Sequence, residues 1–125
     1  MSSKVLVIDD SGLVRRNMRR ILNSAGYDVV EAQDGMAALE AYFSEKPDVV
    51  LLDLVMNGMY GLDVLKKLRE LDADARVVVV SADIQTPSRD LARDLGALGF
   101  LNKPADDADV LDAVAAALKG SRAWN

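Results

Sequence analysis

The chain reads as an α/β protein: a five-stranded parallel sheet, doubly wound, with helices on both faces. Three observations predict it. Residues 5–8 (VLVI), 49–52 (VVLL) and 77–80 (VVVV) are aliphatic runs rich in β-branched residues, as strands covered on both faces are. The segments between them carry apolar residues at helical spacing. Strand and helix patterns alternate five times along 125 residues, with no internal linker or low-complexity stretch. With right-handed crossovers, that alternation yields one open parallel sheet in one domain.

Residues 5–8 open the chain as the first strand. Leu13, Val14, Met18, Ile21, Leu22 and Ala25 line one face of a first helix, arginines the other, and Gly26 is placed to stop it. A weaker strand follows at 28–32 (DVVEA). Met36, Leu39 and Phe43 mark a second helix, which has to finish before Pro47. Beyond strand 49–52, Leu62, Leu65 and Leu68 mark the third. Strand 77–80 leads to TPSRD from Thr86, a capping residue ahead of a proline, which starts a fourth helix. A second weak strand, 99–101 (GFL), precedes a last helix capped by Asp106 or Asp107, with Val110, Leu111, Val114 and Leu118 on its apolar face.

Composition prunes the functions. Half of the residues are hydrophobic and 28% charged, which describes a folded globular chain rather than a disordered one. The apolar runs are too short to cross a bilayer. The start, MSSKVLVIDD, carries one lysine and a short apolar stretch that meets two acids, so it is no secretory signal. The expectation is a cytoplasmic protein without membrane contact. The absence of cysteine excludes disulfides, thiol nucleophiles and thiolate metal sites. The absence of histidine excludes a Ser-His-Asp triad, His-ligated zinc and a phosphohistidine carrier. A metal would need oxygen ligands, which favours magnesium, calcium or manganese. A net charge of −5 offers no general attraction to nucleic acid. The run RRNMRR, from Arg15 to Arg20, reads as the solvated face of the first helix.

In open α/β sheets, ligands bind beyond the carboxyl ends of the strands. Asp9 and Asp10 follow the first run, Asp53 the third, Ser81 the fourth, and Lys103-Pro104 the fifth. Singly, each has a plain reading: Asp9, Asp10 or Ser11 as a helix cap, Asp53 as a loop-starting acid, Ser81 and Lys103 as ordinary loop residues. Together they converge, because the first, third and fourth strands are neighbours in a doubly wound sheet. Three crowded carboxylates repel one another, and a hard divalent cation is the simplest remedy. The lysine is then left to meet further negative charge. A carboxylate beside such a cation can attack phosphorus and form an aspartyl phosphate, with no general base needed.

Asp9-Asp10, Asp53, Ser81-Ala82 and Lys103-Pro104, in this order and on these strands, resemble the receiver domain of bacterial two-component response regulators, of the single-domain chemotaxis type. The flanking stretches VLVIDDS, DVVEAQDGMAAL, PDVVLLDLVM and GALGFLNKP agree, and the match spans about residues 4–120. The resemblance implies a flavodoxin-like sheet of order 2-1-3-4-5, with a receiver domain over 1–120. Residues 121–125 would be a short tail, or the edge of a longer chain, with Trp124 next to the last residue. It implies Asp53 as phosphoacceptor, fed by a histidine kinase or a histidine phosphotransfer protein. It further implies Mg2+, with Mn2+ as a substitute, on Asp10, Asp53 and the Val55 backbone carbonyl, with Asp9 reaching it through water. Ser81 and Lys103 would contact the phosphoryl group, and Lys103-Pro104 would be a cis peptide. Phe100 would be the aromatic switch, moving inward as Ser81 shifts and reshaping the face of the fourth helix, fifth strand and fifth helix for a downstream protein. A monomer or a phosphorylation-linked dimer follows, neither an enzyme beyond self-phosphorylation and slow autodephosphorylation nor a direct binder of nucleic acid. The first helix would be a docking surface for the donor.

Asn57, Tyr60 and Ala105 depart from the common pattern, where proline, aspartate and phenylalanine are frequent, and Val55 and Asp83 sit where relatives tune hydrolysis. A haloacid-dehalogenase-type phosphatase fits poorly, because the first-strand acids are adjacent and no cap domain can be accommodated. A flavodoxin fits poorly too, because DDSGL is acidic where a flavin phosphate would sit. The remaining alternatives are a receiver cut from a larger multidomain regulator or hybrid kinase, and a phosphorylation-independent docking module.

Overall fold

Side chains alternate across a strand, so a strand that is aliphatic at every position needs a hydrophobic layer on each side. The computed structural model describes residues 2–56, 60–82 and 86–121, and of Thr86 only the backbone. Asn57, Asp83 and the tail containing Trp124 lie outside the described residues. The strands are β1 (Lys4–Ile8), β2 (Asp28–Ala32), β3 (Val49–Leu52), β4 (Val77–Ser81) and β5 (Gly99–Asn102). They form one parallel sheet in the order β2-β1-β3-β4-β5. The flavodoxin-like order expected from the resemblance is therefore the observed one.

The helices are α1 (Gly12–Ser24), α2 (Gly35–Glu45), α3 (Gly61–Leu71), α4 (Thr86–Asp94) and α5 (Asp107–Leu118). Leu6, Ile8, Val50, Leu52, Val77 and Val79 pack with Ala38, Leu65, Leu68 and Ala92, on the side of α2, α3 and α4. Val5, Val7, Val49, Leu51, Val78 and Val80 face the other way, onto Met18, Ile21, Leu22, Val110, Val114 and Ala117 of α1 and α5. Each layer removes the aliphatic faces of three central strands from water, the main favourable contribution to folding.

Local signals set the helix ends. The Ser11 hydroxyl accepts from Val14 N–H and caps α1, and Gly26 follows its end with φ of 89°. Asp34 caps α2 through Ala37 N–H at 2.8 Å. That helix stops at Lys46, whose φ is 50°, just before Pro47. Pro87 sits in the first turn of α4, where its missing N–H has no helical partner to lose. Asp106 is the N-cap residue of α5 without a side-chain capping bond. No helix among the described residues is long and apolar enough to cross a membrane.

Two helix faces differ from expectation. Leu13 and Ala25 are exposed, so the buried face of α1 is the narrower Met18, Ile21 and Leu22. In α2, Met36 is 74% exposed and Phe43 49%, while Ala38 and Tyr42 are buried. The sequence GMAALEAYFSE is apolar over most of its circumference, so spacing alone does not fix which stripe turns inward. Tyr42 goes in because its hydroxyl, 2.7 Å from Asp72 Oδ2, finds a partner at the end of α3. Burial raises the Tyr42 phenol, and its hydrogen bond lowers the Asp72 carboxyl. We expect Tyr42→Phe to lose about 1.5 kcal/mol at neutral pH, the scale of a hydrogen bond to a charged group. A lowered carboxyl contributes stability above its unfolded-state pKa and loses it as pH falls through the folded value. Thermal denaturation at pH 7 and at pH 2 should therefore show the difference between the two proteins shrinking in acid.

Candidate functional site

Parallel pairing puts the carboxyl ends of all five strands on one edge, and backbone hydrogen bonds carry the pairing past the strands into the site. Asp53 N–H donates to Ile8 O at 3.0 Å, Lys103 N–H to Ser81 O at 2.9 Å, and Asp9 N–H to Ala32 O at 3.1 Å. Asp9 and Asp53 are buried, 3% and 6% exposed, Ser81 is fully buried at the end of β4, and Asp10 is exposed. The Lys103-Pro104 peptide bond is cis.

The lysine is shared between two acids. Lys103 Nζ lies 2.7 Å from Asp9 Oδ2 and 3.5 Å from Asp53 Oδ1. The other Asp9 carboxylate oxygen accepts from Ser11 N–H at 2.9 Å. Asp53 Oδ1 also takes a long contact from Val55 N–H, 3.5 Å, and the Val55 side chain is exposed. Burial pushes the Asp53 carboxyl above its ordinary value; the Lys103 ammonium pulls it back, while the Asp9 carboxylate pushes it further up. One carboxylate oxygen each from Asp9, Asp10 and Asp53 lie within 4.8 Å of one another. A cluster of hard oxygen donors of this kind fits a hard divalent cation such as magnesium.

Phe100, on β5, is half-buried against the α2–α3–α4 side of the core, and the Arg89 guanidinium carbon stands 6.0 Å from its ring centroid. Tyr60, ahead of α3, has its hydroxyl 3.4 Å from that of Ser88 in α4.

The response regulator receiver domain family matches residues 5–115 of the chain. The chain belongs to the response regulator receiver domain family. This receiver domain is 34% identical over 114 residues to sporulation initiation phosphotransferase F of Bacillus subtilis, covering 91% of this chain and 92% of that protein. It is 36% identical over 115 residues to the chemotaxis protein CheY of Thermotoga maritima, covering 91% and 96%. A chain of the CheX-CheY-BeF3-Mg2+ complex from Borrelia burgdorferi shares its fold with a TM-score of 0.86 at 33% identity, over 90% of this chain and 86% of that one.

Two features of the receiver site escape a reading of the sequence. Gly61 opens α3 with its N–H on Leu54 O at 2.7 Å. A Cβ placed there would stand 2.3 Å from Asp53 O and 2.5 Å from Leu54 Cα. Its contribution is the space it leaves, and the only sequence trace is a glycine where a helix begins. The second is the arginine run of α1. Arg16 and Arg20 are exposed, as a solvated face requires, but Arg15 and Arg19 turn to Glu31 of β2. Glu31, an acid within the weak strand DVVEA, was the available signal.

Proposed function

We propose that this receiver domain accepts a phosphoryl group on Asp53 from a histidine kinase or a histidine phosphotransfer protein, in a Mg2+-dependent reaction, and signals through its α4-β5-α5 face. The observation that carries this reading is one ammonium, Lys103, held between Asp9 and Asp53 beside the exposed Asp10. Asp10, Asp53 and the Val55 carbonyl, with Asp9 behind them, would hold the cation. When bound, Mg2+, or Mn2+ in its place, supplies positive charge against the phosphoryl oxygens.

The chain's own groups do the rest. An Asp53 carboxylate oxygen attacks phosphorus, the phosphorus–nitrogen bond of the donor imidazole breaks, and its electron pair stays on nitrogen. An ionised carboxylate needs no base for this. Lys103 Nζ, 3.5 Å from Asp53 Oδ1, takes one phosphoryl oxygen in a charge-assisted hydrogen bond. The Ser81 hydroxyl turns to another, and Phe100 moves into the space that opens. The Arg89–Phe100 contact, worth about 0.5–1 kcal/mol for a partly exposed cation–π pair, is weak enough for one phosphoryl group to overcome. Beside Lys103 a groove lined by Leu13, Val14, Asn17, Pro104 and Ala105 offers the donor an apolar landing surface.

Mass spectrometry after incubation with acetyl phosphate and Mg2+ tests this. The protein should gain one phosphoryl group, and Asp53→Asn and a chelator-treated sample should gain none. Absence of any gain, together with failure to bind fluoroberyllate, would sink the reading and leave a constitutive docking module.

A further inference from the structure

Asp9 is held at every polar group it has. Its N–H donates to Ala32 O, its two carboxylate oxygens accept from Ser11 N–H and Lys103 Nζ, and its carbonyl accepts from Arg15 Nη1 at 2.7 Å. Three of these partners belong to the strands and loops of the site. The fourth comes from α1, six residues on. Arg15 is itself anchored: its Nε donates to Glu31 Oε1 at 3.1 Å, and the other Glu31 oxygen takes Arg19 Nε at 2.7 Å. The Arg15 side chain is only 18% exposed. These two bonds hold the Glu31 carboxyl below its usual range, that of Arg19 being the larger influence.

We infer that Arg15, braced by Glu31, is a positioning residue for the acidic pocket: by gripping the Asp9 carbonyl it fixes the peptide plane that joins Asp9 to Asp10. The inference rests on the reading of that pocket as a divalent-cation site. The carbonyl belongs to the same peptide unit as Asp10 N–H, and a peptide is planar. Holding one end fixes where Asp10 N and Cα lie, the base from which its side chain leaves the backbone. A planar guanidinium can bond the carbonyl and the Glu31 carboxylate at once, which a lysine ammonium does with poorer geometry. The bridge thus adds a side-chain tie between this loop and β2, beside the backbone bond from Asp9 N–H to Ala32 O.

Charge and position make opposite forecasts. Arg15 is a cation near a proposed cation site, so if only its charge mattered, its removal would tighten metal binding. If it positions the loop, removal weakens binding, by roughly tenfold on the scale seen when groups orienting metal ligands are lost.

The experiment is a titration with Mn2+, free ion followed by electron paramagnetic resonance, on wild type, Arg15→Ala, Arg15→Lys, Glu31→Gln, Arg19→Ala and the double variant Arg15→Ala/Glu31→Gln. Metal-free thermal midpoints are measured alongside. We expect Arg15→Ala to bind about tenfold more weakly, Arg15→Lys to fall between it and wild type, and Arg19→Ala to bind as wild type does, since Arg19 grips Glu31 but not Asp9. Glu31→Gln should weaken binding in wild type yet add nothing in the Arg15→Ala background, the non-additivity of a shared bridge. Wild-type or tighter binding by Arg15→Ala overturns the inference. So does equal weakening by Arg15→Ala and Arg19→Ala in step with their midpoints, which would mark a loss of helix anchoring alone. If wild type binds no Mn2+, the cation-site reading fails and takes this inference with it.

Discussion

Lys103→Met should unfold in urea with about 3 kcal/mol less stability than wild type at pH 7, the lower end of what is lost when one partner of a buried ion pair is removed. The methionine keeps much of the aliphatic bulk, so the loss is chiefly electrostatic. It leaves Asp9 and Asp53, both buried, facing each other with no ammonium between them. The dependence on pH follows from the direction in which Asp53 is displaced. Burial already holds its carboxyl above the ordinary value, and Lys103 is the opposing influence that the variant removes. A carboxyl raised in the folded state binds its proton more tightly there than in the unfolded chain, so stability falls as pH rises through the folded value. The variant should therefore recover stability on acidification towards the ordinary carboxylate range, and on addition of Mg2+ at neutral pH. Urea titrations at pH 5 and pH 7, with and without Mg2+, read both effects. A variant as stable as wild type at pH 7 would show that the two carboxylates do not depend on the lysine.

Gly61→Ala should lose about 3 kcal/mol, the upper range for forcing one extra carbon into packed structure, and should label poorly with acetyl phosphate. The added Cβ meets backbone, Asp53 O at 2.3 Å and Leu54 Cα at 2.5 Å, and neither can swing aside as a side chain would. Asp53 is fixed from behind by Ile8 O, and Leu54 is fully buried. Relief comes only by moving α3 outward or Asp53 off its place. Urea denaturation measures the first, and phosphoryl incorporation the second. Alanine tolerated without change in either would mean that the approach of α3 to the loop after Asp53 is slack.

The central strands were legible because their physical requirement is local: a run such as VVVV has to be covered on both faces wherever it occurs. The clustering at the candidate site was legible for a related reason. Acids, a hydroxyl and a lysine at the ends of aliphatic runs stand out against what precedes them. Helix facing was less legible. Met36 and Phe43 are as apolar as the buried positions of α2, and Tyr42 takes the inward place through its bond to Asp72, a residue of another element. Gly61 and Arg15 were hidden for the same cause. What the glycine permits depends on how closely Leu54 passes, and what the arginine holds is a carbonyl, present in every residue and so marked by none.

Lys103 and Asp9 stand 94 residues apart in the chain and 2.7 Å apart in space. The contact joins the first strand to the last. During synthesis the acids at the ends of β1 and β3 emerge long before the ammonium that balances them, and closing so long a loop brings no reward until the intervening strands have paired. A chain interrupted before β5 carries both acids without their counter-ion, in a sheet lacking an edge strand. The balanced pocket thus arrives last, and only a finished molecule has it: the pocket vouches for its own assembly.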